Sequence, residues 1–548
     1  MFHNRQNQNS DVIKTPADID RLVADMNRLQ VPKELKKLIV YVYERKIYGS
    51  QDAISREYLN FCLASYFILK TDQYESLLSD LQLMPMQRFI QKTVDLLSFR
   101  PGLHKEVLDF IEIKYEAFPK QAREITLLLD DVEITPGLTG IAGNLYGNVD
   151  DGISHNHTPA KYVTQIWIRS LIASDCFDLL AYYFTSQHAT AEQLKNYIFE
   201  CITKLQAINL DVVLVNTKLK SNFWELSELL GIGPQKQTFK VENKEVVFIF
   251  DAPHMMCVTR NNLQKHYLKM EDGGTTSWEH IKTFFVKESG SGQKKTPLTA
   301  VHIEPHKFDR ITPSLAIDVL SNTVYTEMKS YVESGKLPEE ALATVQCITL
   351  FDRLFDVLNS KYAVAINEYA SGYKGTKWQK EYLEKAMKCL EALKVVGTKG
   401  EDKTGEVKFT KAWLTTIRGT MKVWEIIKEK DHPYLLTRHM NTEPLDAFFK
   451  APRVFNRNPI NPSEYFHYYF ASFLRTYFSM KLNLVKHTDA EEYARVVYKR
   501  IPAVRHNLDT PLQRMEQRPT SWEFLVIKSR LQAVCDELGL NRIPISFY

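Results

Sequence analysis

The sequence predicts an α/β fold joined to all-α segments: a mixed sheet interrupted by a helical insertion and preceded by an N-terminal helical domain. Three observations carry this expectation. From Thr15 to about Lys120 the apolar residues recur at helical spacing, as in Leu35, Leu38, Ile39, Val42 and Tyr43, with breaks at Pro32, Pro85 and Pro101. At Ile125 the period changes, because ITLLLDDVEI is a continuous apolar run of the kind a strand buried on both faces requires. Between about Leu263 and Asn359 the helical pattern returns, broken by the flexible SGSGQKK stretch at Ser289 to Lys295.

The elements follow in order. Residues 1–14 are polar and read as a disordered tail, and 15–122 as a helical domain. Within it, Tyr74 to Leu96 forms two helices around a short turn, a shape compatible with helix-turn-helix DNA binding or with plain core packing. Residues 123–262 hold the first part of the sheet. After ITLLLDDVEI come YVTQIWIRSLI, FDLLAYYFT, DVVLVNT and EVVFIFDAP, each short and rich in β-branched or aromatic residues, and the helix AEQLKNYIFECITKLQAI lies between FDLLAYYFT and DVVLVNT. Residues 263–430 read as the insertion, 431–475 as the last part of the sheet domain, and 476–548 as a C-terminal helical region rich in aromatics. Lys361 to Lys430 carries about six more basic than acidic side chains, which fits a solvated helical face better than a nucleic-acid track.

Composition narrows the function classes. A chain of 548 residues is too long for one ordinary core, and 44% hydrophobic with 25% charged residues fits neither a disordered nor a fibrous protein. Seven scattered cysteines without C-x-x-C spacing argue for a reducing compartment and against a disulfide scaffold or a structural zinc site. No stretch approaches the roughly 18 uninterrupted apolar residues of a membrane span, and the start lacks a signal-peptide core, so no membrane partner is expected. A formal charge of +4 permits a nucleic-acid partner without demanding one.

The chemistry rests on acids at strand ends. LLLDDVEI ends one strand in carboxylates, VVLVNT ends another, and TEPLDAFF follows much later in a helical segment. An RNase H-like nuclease or transposase places two carboxylates on strand ends and one on a helix, so that together they hold two divalent metals on the scissile phosphate. His155-Asn156-His157 spells HNH, but it sits in a polar loop without a ββα-metal frame and reads as loop.

The order of segments resembles the P element transposase family from about Tyr58 to Ser472. The resemblance rests on YESLLSDLQLMPMQRFIQK, LLLDDVEI, TAEQLKNYIFECITKLQAINLDVVLV, FIFDAPHMMCVTRNNL, FDRLFDVLNSK, KAWLTTIRGTMKVWEIIK and YLLTRHMNTEPLDAFF. It implies an RNase H-like catalytic domain split by a helical insertion that binds GTP, and work at DNA transposon ends. Residue by residue, Asp130 falls on the first catalytic aspartate, with Asp131 the alternative register. Where the family has Asp-x-Gly this chain has Asn216-Thr217-Lys218, and Asp446 stands where the family has a glutamate. Asp130 and Asp446 are then the metal ligands, with Mg2+ as cofactor if cleavage survives. Asp356 and Asn359 match positions that contact the guanine nucleotide, while the lysine expected upstream is missing from ITPSLAIDVLSNTV. His254 matches a histidine of the family's Asp-Pro-Pro-His phrase, and a structural role at that turn is the better reading.

The departures set the functional expectation. A neutral amide at 216 keeps an oxygen but removes a full charge from a metal cluster, and Lys218 adds a positive one. The first 150 residues hold only Cys62, so the Cys-x-Cys, Cys-x-x-His set of a THAP zinc domain is not expected in this chain. The sequence therefore points to a domesticated or degenerate transposase-derived protein, cleavage-deficient, nuclear, and associated with DNA weakly or without sequence preference, in the role of a scaffold. A homo-oligomer is a further implication of the resemblance. Two alternatives stand beside this: an active cut-and-paste transposase in which Asp251 substitutes for Asn216, and a protein-interaction module that uses the aromatic C-terminal helices and binds no DNA.

Overall fold

The computed structural model describes residues 15–28 and 101–443, apart from gaps at 117–119, 142–143, 153–154, 173–176 and 308, together with 445, 461–462 and 465. The helix-turn-helix segment at Tyr74 to Leu96 and the acid Asp446 lie outside the described residues. The chain forms two compact units, 1–100 with 139–146 and 463–548, and 101–138 with 147–462.

The first unit contributes helix α1 (Pro16–Arg28) and the antiparallel pair β3 (Thr139–Ile141) and β4 (Asn144–Tyr146). Asp18 accepts from the Thr15 backbone N–H at 2.9 Å and from its hydroxyl at 2.7 Å, which fixes the start of α1.

The second unit is built on a sheet. Its strands are β1 (Gly102–Leu103), β2 (Glu124–Glu133), β5 (Asn148–Asp150), β6 (His155–Pro159), β7 (Tyr162–Ser170), β8 (Phe177–Thr185), β9 (Asp211–Thr217), β10 (Thr238–Val241) and β11 (Lys244–Phe250). The order is β10-β11-β9-β2-β7-β8-β5-β6, with β1 also on β8. The strands β2, β9 and β11 run parallel, β7 adds antiparallel to β2, and β8 adds antiparallel to β7. This is the mixed sheet the sequence predicts. Every residue of β2 except Glu133 is buried, which is why its sequence shows no alternation.

Helices cover the sheet. After α2 (Lys105–Glu116), helix α3 (Ala191–Ala207) is the crossover between β8 and β9, opened by a reciprocal Thr190–Gln193 capping box. A short α4 (Ser221–Leu229) follows β9, and α5 (Ala252–Lys265) follows β11 with Asp251 as N-cap. The chain then enters a helical insertion through β12 (Tyr267–Lys269) and leaves it through β13 (Lys394–Val396), which pair antiparallel and close its neck. Between them lie α6 (Trp278–Gly290), α7 (Ala300–Ile303), α8 (Pro313–Val319), α9 (Asn322–Glu333), α10 (Ala341–Leu358) and α11 (Lys377–Ala392). The ion pairs Lys377–Glu381 and Lys403–Glu406 lie on the surface of the basic run.

Helix α12 (Phe409–Lys428) brings the chain back onto the sheet. Thr416 Oγ1 accepts from the Phe250 N–H and donates to the Phe250 carbonyl, both at 3.0 Å, so the helix is tied to the end of β11. Gly419 permits this approach: a Cβ there would stand 2.4 Å from Ile249 Cγ2. Trp413 Nε1 donates to Thr259 Oγ1 at 2.9 Å and locks α12 against α5.

Candidate functional site

The register of two parallel strands builds the site. Leu128 pairs with Asn216 and Leu129 with Thr217, so Lys218 follows level with Asp130. Side chains alternate along a strand, so Asp130 shares a face with Asn216 and Lys218, while Asp131 points to the other. Asp130 is 3% exposed. Its Oδ2 accepts from Lys218 Nζ at 2.8 Å, and its Oδ1 accepts from Lys220 Nζ at 2.7 Å and from the Asp131 backbone N–H at 2.9 Å. Lys220 Nζ also donates to the Asp131 carbonyl at 2.5 Å. Burial alone would raise the Asp130 carboxyl, but the two ammoniums outweigh it and hold the group far below the usual carboxylate range.

Asp131 serves the opposite face. Its Oδ2 lies 2.6 Å from His188 Nδ1 and accepts from Asn222 Nδ2 at 3.1 Å, and its Oδ1 accepts from Thr164 Oγ1 at 3.4 Å. Those contacts anchor the loop before α3 and the first turn of α4 to β2.

Asn216 is fully buried, and its Nδ2 donates to the Met440 carbonyl at 2.6 Å. Its Oδ1 is buried without a hydrogen-bond partner among the described residues. Met440 belongs to the stretch that follows α12 and is stitched across the sheet's upper end. Asn441 Nδ2 donates to Asn359 Oδ1 at 2.9 Å and to the Leu358 carbonyl at 3.2 Å, and the Thr442 N–H donates to Asp251 Oδ1 at 2.6 Å. Arg169 Nη1 donates to the Arg438 carbonyl at 2.9 Å. Three consecutive residues thus tie the second strand-end position, the insertion and the N-cap of α5 together.

Asp251, considered above as a substitute acid, has both oxygens engaged in structural bonds: Oδ1 as just described, and Oδ2 accepting the His254 N–H at 3.0 Å. His254 sits in the first turn of α5 with Nε2 3.3 Å from the Leu219 carbonyl. Burial, followed by the nearby Lys218 and Lys220 ammoniums, pushes it down to about 3, so its ring is neutral at physiological pH. Leu445 is buried, and Asp446 beyond it is outside the described residues.

A divalent ion needs anionic oxygens whose lone pairs face an open position. Here both Asp130 oxygens face ammoniums, the second position is an amide bonded to Met440, and among the described residues no group of three or more His, Cys, Asp or Glu could hold a metal ion. The described donor set does not fit the metal pair that the resemblance implies. No helix among the described residues is long and apolar enough to cross a membrane.

The second set of sequence candidates lies at the C-terminal end of α10. Asp356 Oδ2 accepts from Asn367 Nδ2 at 2.6 Å, and the Asn359 N–H donates to the Asp356 carbonyl at 3.3 Å. Burial raises the Asp356 carboxyl, and one turn earlier Asp352 is pushed up to about 7 by burial and by Asp356. Sequence reasoning missed Lys220, His188, Asn367 and the Met440–Thr442 stitch. Only Lys220 left a signal, as the second lysine of the Lys-x-Lys that follows VVLVNT.

Two family models match the chain: a TNP-like RNase H N-terminal domain over residues 99–231 and a TNP-like GTP-binding insertion domain over residues 253–374. Among solved structures the chain is similar to the Drosophila P element transposase strand transfer complex, with a TM-score of 0.67 and 17% identity, over 86% of this chain and 99% of that one. No curated protein matches it.

Proposed function

Because the chain is P element transposase-like, with an RNase H-like sheet domain and a GTP-binding-type insertion, we propose that it is a transposase-derived protein that no longer cleaves DNA and acts in the nucleus as a DNA-associated scaffold. The observation that carries the loss of cleavage is Asn216. Its amide donates to Met440, and it stands on the same sheet face as Asp130, where the family has its second acid. A two-metal site stabilises the attacking and leaving oxygens only when anionic ligands hold both ions. A loss of about 4 kcal/mol of transition-state stabilisation lowers the rate about a thousandfold.

DNA binding in this reading runs through phosphates. It is sequence-independent and weakens steeply as salt rises. Guanine nucleotide binds at the insertion, where the Asp356 carboxylate accepts from guanine N1 and N2 and Asn359, held by Asn441, flanks it. The similarity of residues 253–374, which include both, to a TNP-like GTP-binding insertion domain supports this.

The test is metal-dependent nicking and strand transfer on labelled duplex DNA, run beside binding measured over a salt series. The wild type should bind duplex DNA in a salt-sensitive way and leave it intact in Mg2+ and Mn2+. Cleavage by the wild type that disappears in Asp130→Ala overturns the cleavage-deficient reading, and DNA binding that is absent or insensitive to salt overturns the DNA-associated one.

A further inference from the structure

We propose that Lys218 and Lys220 are resident counter-cations of Asp130, which close this carboxylate to divalent metal ions. The inference rests on the reading of these strand ends as a former catalytic centre, and it concerns what the chain put in the place of the metals. Replacing an acid by Asn216 explains a weaker metal site. It does not explain why two ammoniums stand on Asp130.

The geometry is specific. Lys218 reaches Oδ2 and Lys220 reaches Oδ1, so each carboxylate oxygen has its own cation, at 2.8 and 2.7 Å. The two arrive by independent routes. Lys218 is delivered by the parallel register of β9 against β2, and Lys220 by the turn that leads into α4, where it is the N-cap residue. Lys220 is further fixed by the Asp131 carbonyl. The side chains are 12% and 29% exposed, so neither ammonium is a solvent-facing decoration.

Two unit charges on one carboxylate match the formal charge of a single divalent ion, and they are tethered a few bonds from the strand end. Tethering makes their contact with Asp130 intramolecular, so a free ion competes against a local cation that does not diffuse away. A divalent ion entering beside Asp130 must displace at least one ammonium and then sit near it, so it meets like-charge repulsion in a partly desolvated place. An ammonium also differs from a metal in what it offers a water molecule. It donates a hydrogen bond but does not act as a Lewis acid, so it does not generate hydroxide at neutral pH. The carboxylate is neutralised and the domain is stable without metal, while the chemistry is lost.

The experiment reads metal binding rather than cleavage, so it fails independently of the reading above. Thermal unfolding of the full chain is followed with and without Mg2+ or Mn2+ at constant ionic strength, for the wild type, Lys218→Met/Lys220→Met, and the same pair combined with Asp130→Asn. The wild-type Tm should not respond to the metals. The double variant should lose stability in metal-free buffer and regain it, with a rise in Tm of roughly 2–4 °C at about a hundred times the metal's Kd, and Asp130→Asn should abolish that response. A folded double variant that ignores both metals overturns the proposal. If the double variant does not fold, Mn2+ binding to the wild type, read by water-proton relaxation, decides. Equal signals from wild type and Asp130→Asn support the proposal, and a signal lost in Asp130→Asn overturns it.

Discussion

The Asn216 side-chain amide donates to the Met440 carbonyl at 2.6 Å, and this bond joins β9 to the stretch of chain that returns from the insertion 224 residues later. An aspartate cannot donate it. Asn216→Asp would set a buried carboxylate against a carbonyl oxygen, while Lys218 just beyond the strand is already paired with Asp130. The substitution that restores the family's acid should therefore destabilise the domain, by about 1–3 kcal/mol for the lost donor, unless metal binds. Urea unfolding of wild type and variant, in chelator and in Mn2+, measures this. A variant as stable as wild type in chelator removes the structural role given to the amide.

Lys114 and Asp178 form a buried bidentate pair, with Nζ 2.8 Å from both carboxylate oxygens. The pair fastens α2 to β8, the strand on the far side of β7 from Asp130. Lys114→Met leaves Asp178 buried without its cation and should cost about 3–5 kcal/mol. Lys114→Met combined with Asp178→Leu should recover most of that loss, because removing both charges also removes their desolvation penalty. A double-mutant cycle by chemical unfolding gives the coupling, and additive losses would show that the pair does not act as a unit.

The sheet was legible in the sequence because strands buried on both faces leave continuous apolar runs, and LLLDDVEI and DVVLVNT are such runs. The register that puts Asp130 beside Lys218 was not legible, since β2 and β9 pair in parallel with β7, β8 and α3 between them in the chain, so tertiary packing rather than a turn sets it. Asn216 could be read as a departure at a strand end, but its bond to Met440 spans 224 residues and leaves no local pattern. Asp251 shows the same limit from the other side. As a strand-end acid it looked available for metal, whereas Asp-Ala-Pro-His is also a sequence for the first turn of a helix, and the structure uses it so.

Two buried histidines set an acid limit. Burial and neighbouring cations lower His254 to about 3 and His439 to about 4, below the ordinary value of 6.5. A histidine with a depressed folded-state value takes up its proton more readily when unfolded. Its contribution to stability is complete above pH 6.5 and is lost as the pH falls toward 4 and then 3, at up to about 1.4 kcal/mol per pH unit for each group. Unfolding free energies between pH 8 and pH 4.5 should decline on the acid side. His254→Gln, which keeps a donor for the Leu219 carbonyl, should make that decline shallower. An unchanged slope in the variant means that His254 is not one of the groups responsible.

Asp352 works in the opposite direction. Burial and the neighbouring Asp356 raise it to about 7, so in the folded insertion its carboxyl holds a proton that the unfolded chain releases near the ordinary value of 3.8. Its contribution is fully present below that lower value and is lost as the pH rises through 7. Asp352→Asn keeps an oxygen to accept the Asn322 N–H, a bond of 2.9 Å, and removes the charge that burial and Asp356 oppose. The variant should be more stable than wild type at pH 8, with a smaller gain at pH 5. The same substitution also tests the nucleotide reading, since at pH 6 Asp352 is largely protonated and a neutral amide in its place leaves Asp356, the carboxylate that accepts from a guanine edge, in the same surroundings. A fluorescent GTP analogue should then bind Asp352→Asn at least as tightly as wild type at pH 6, and Asp356→Ala should lose that binding. Stability gains that are equal at pH 5 and pH 8 would remove the ionisation of Asp352 as their cause.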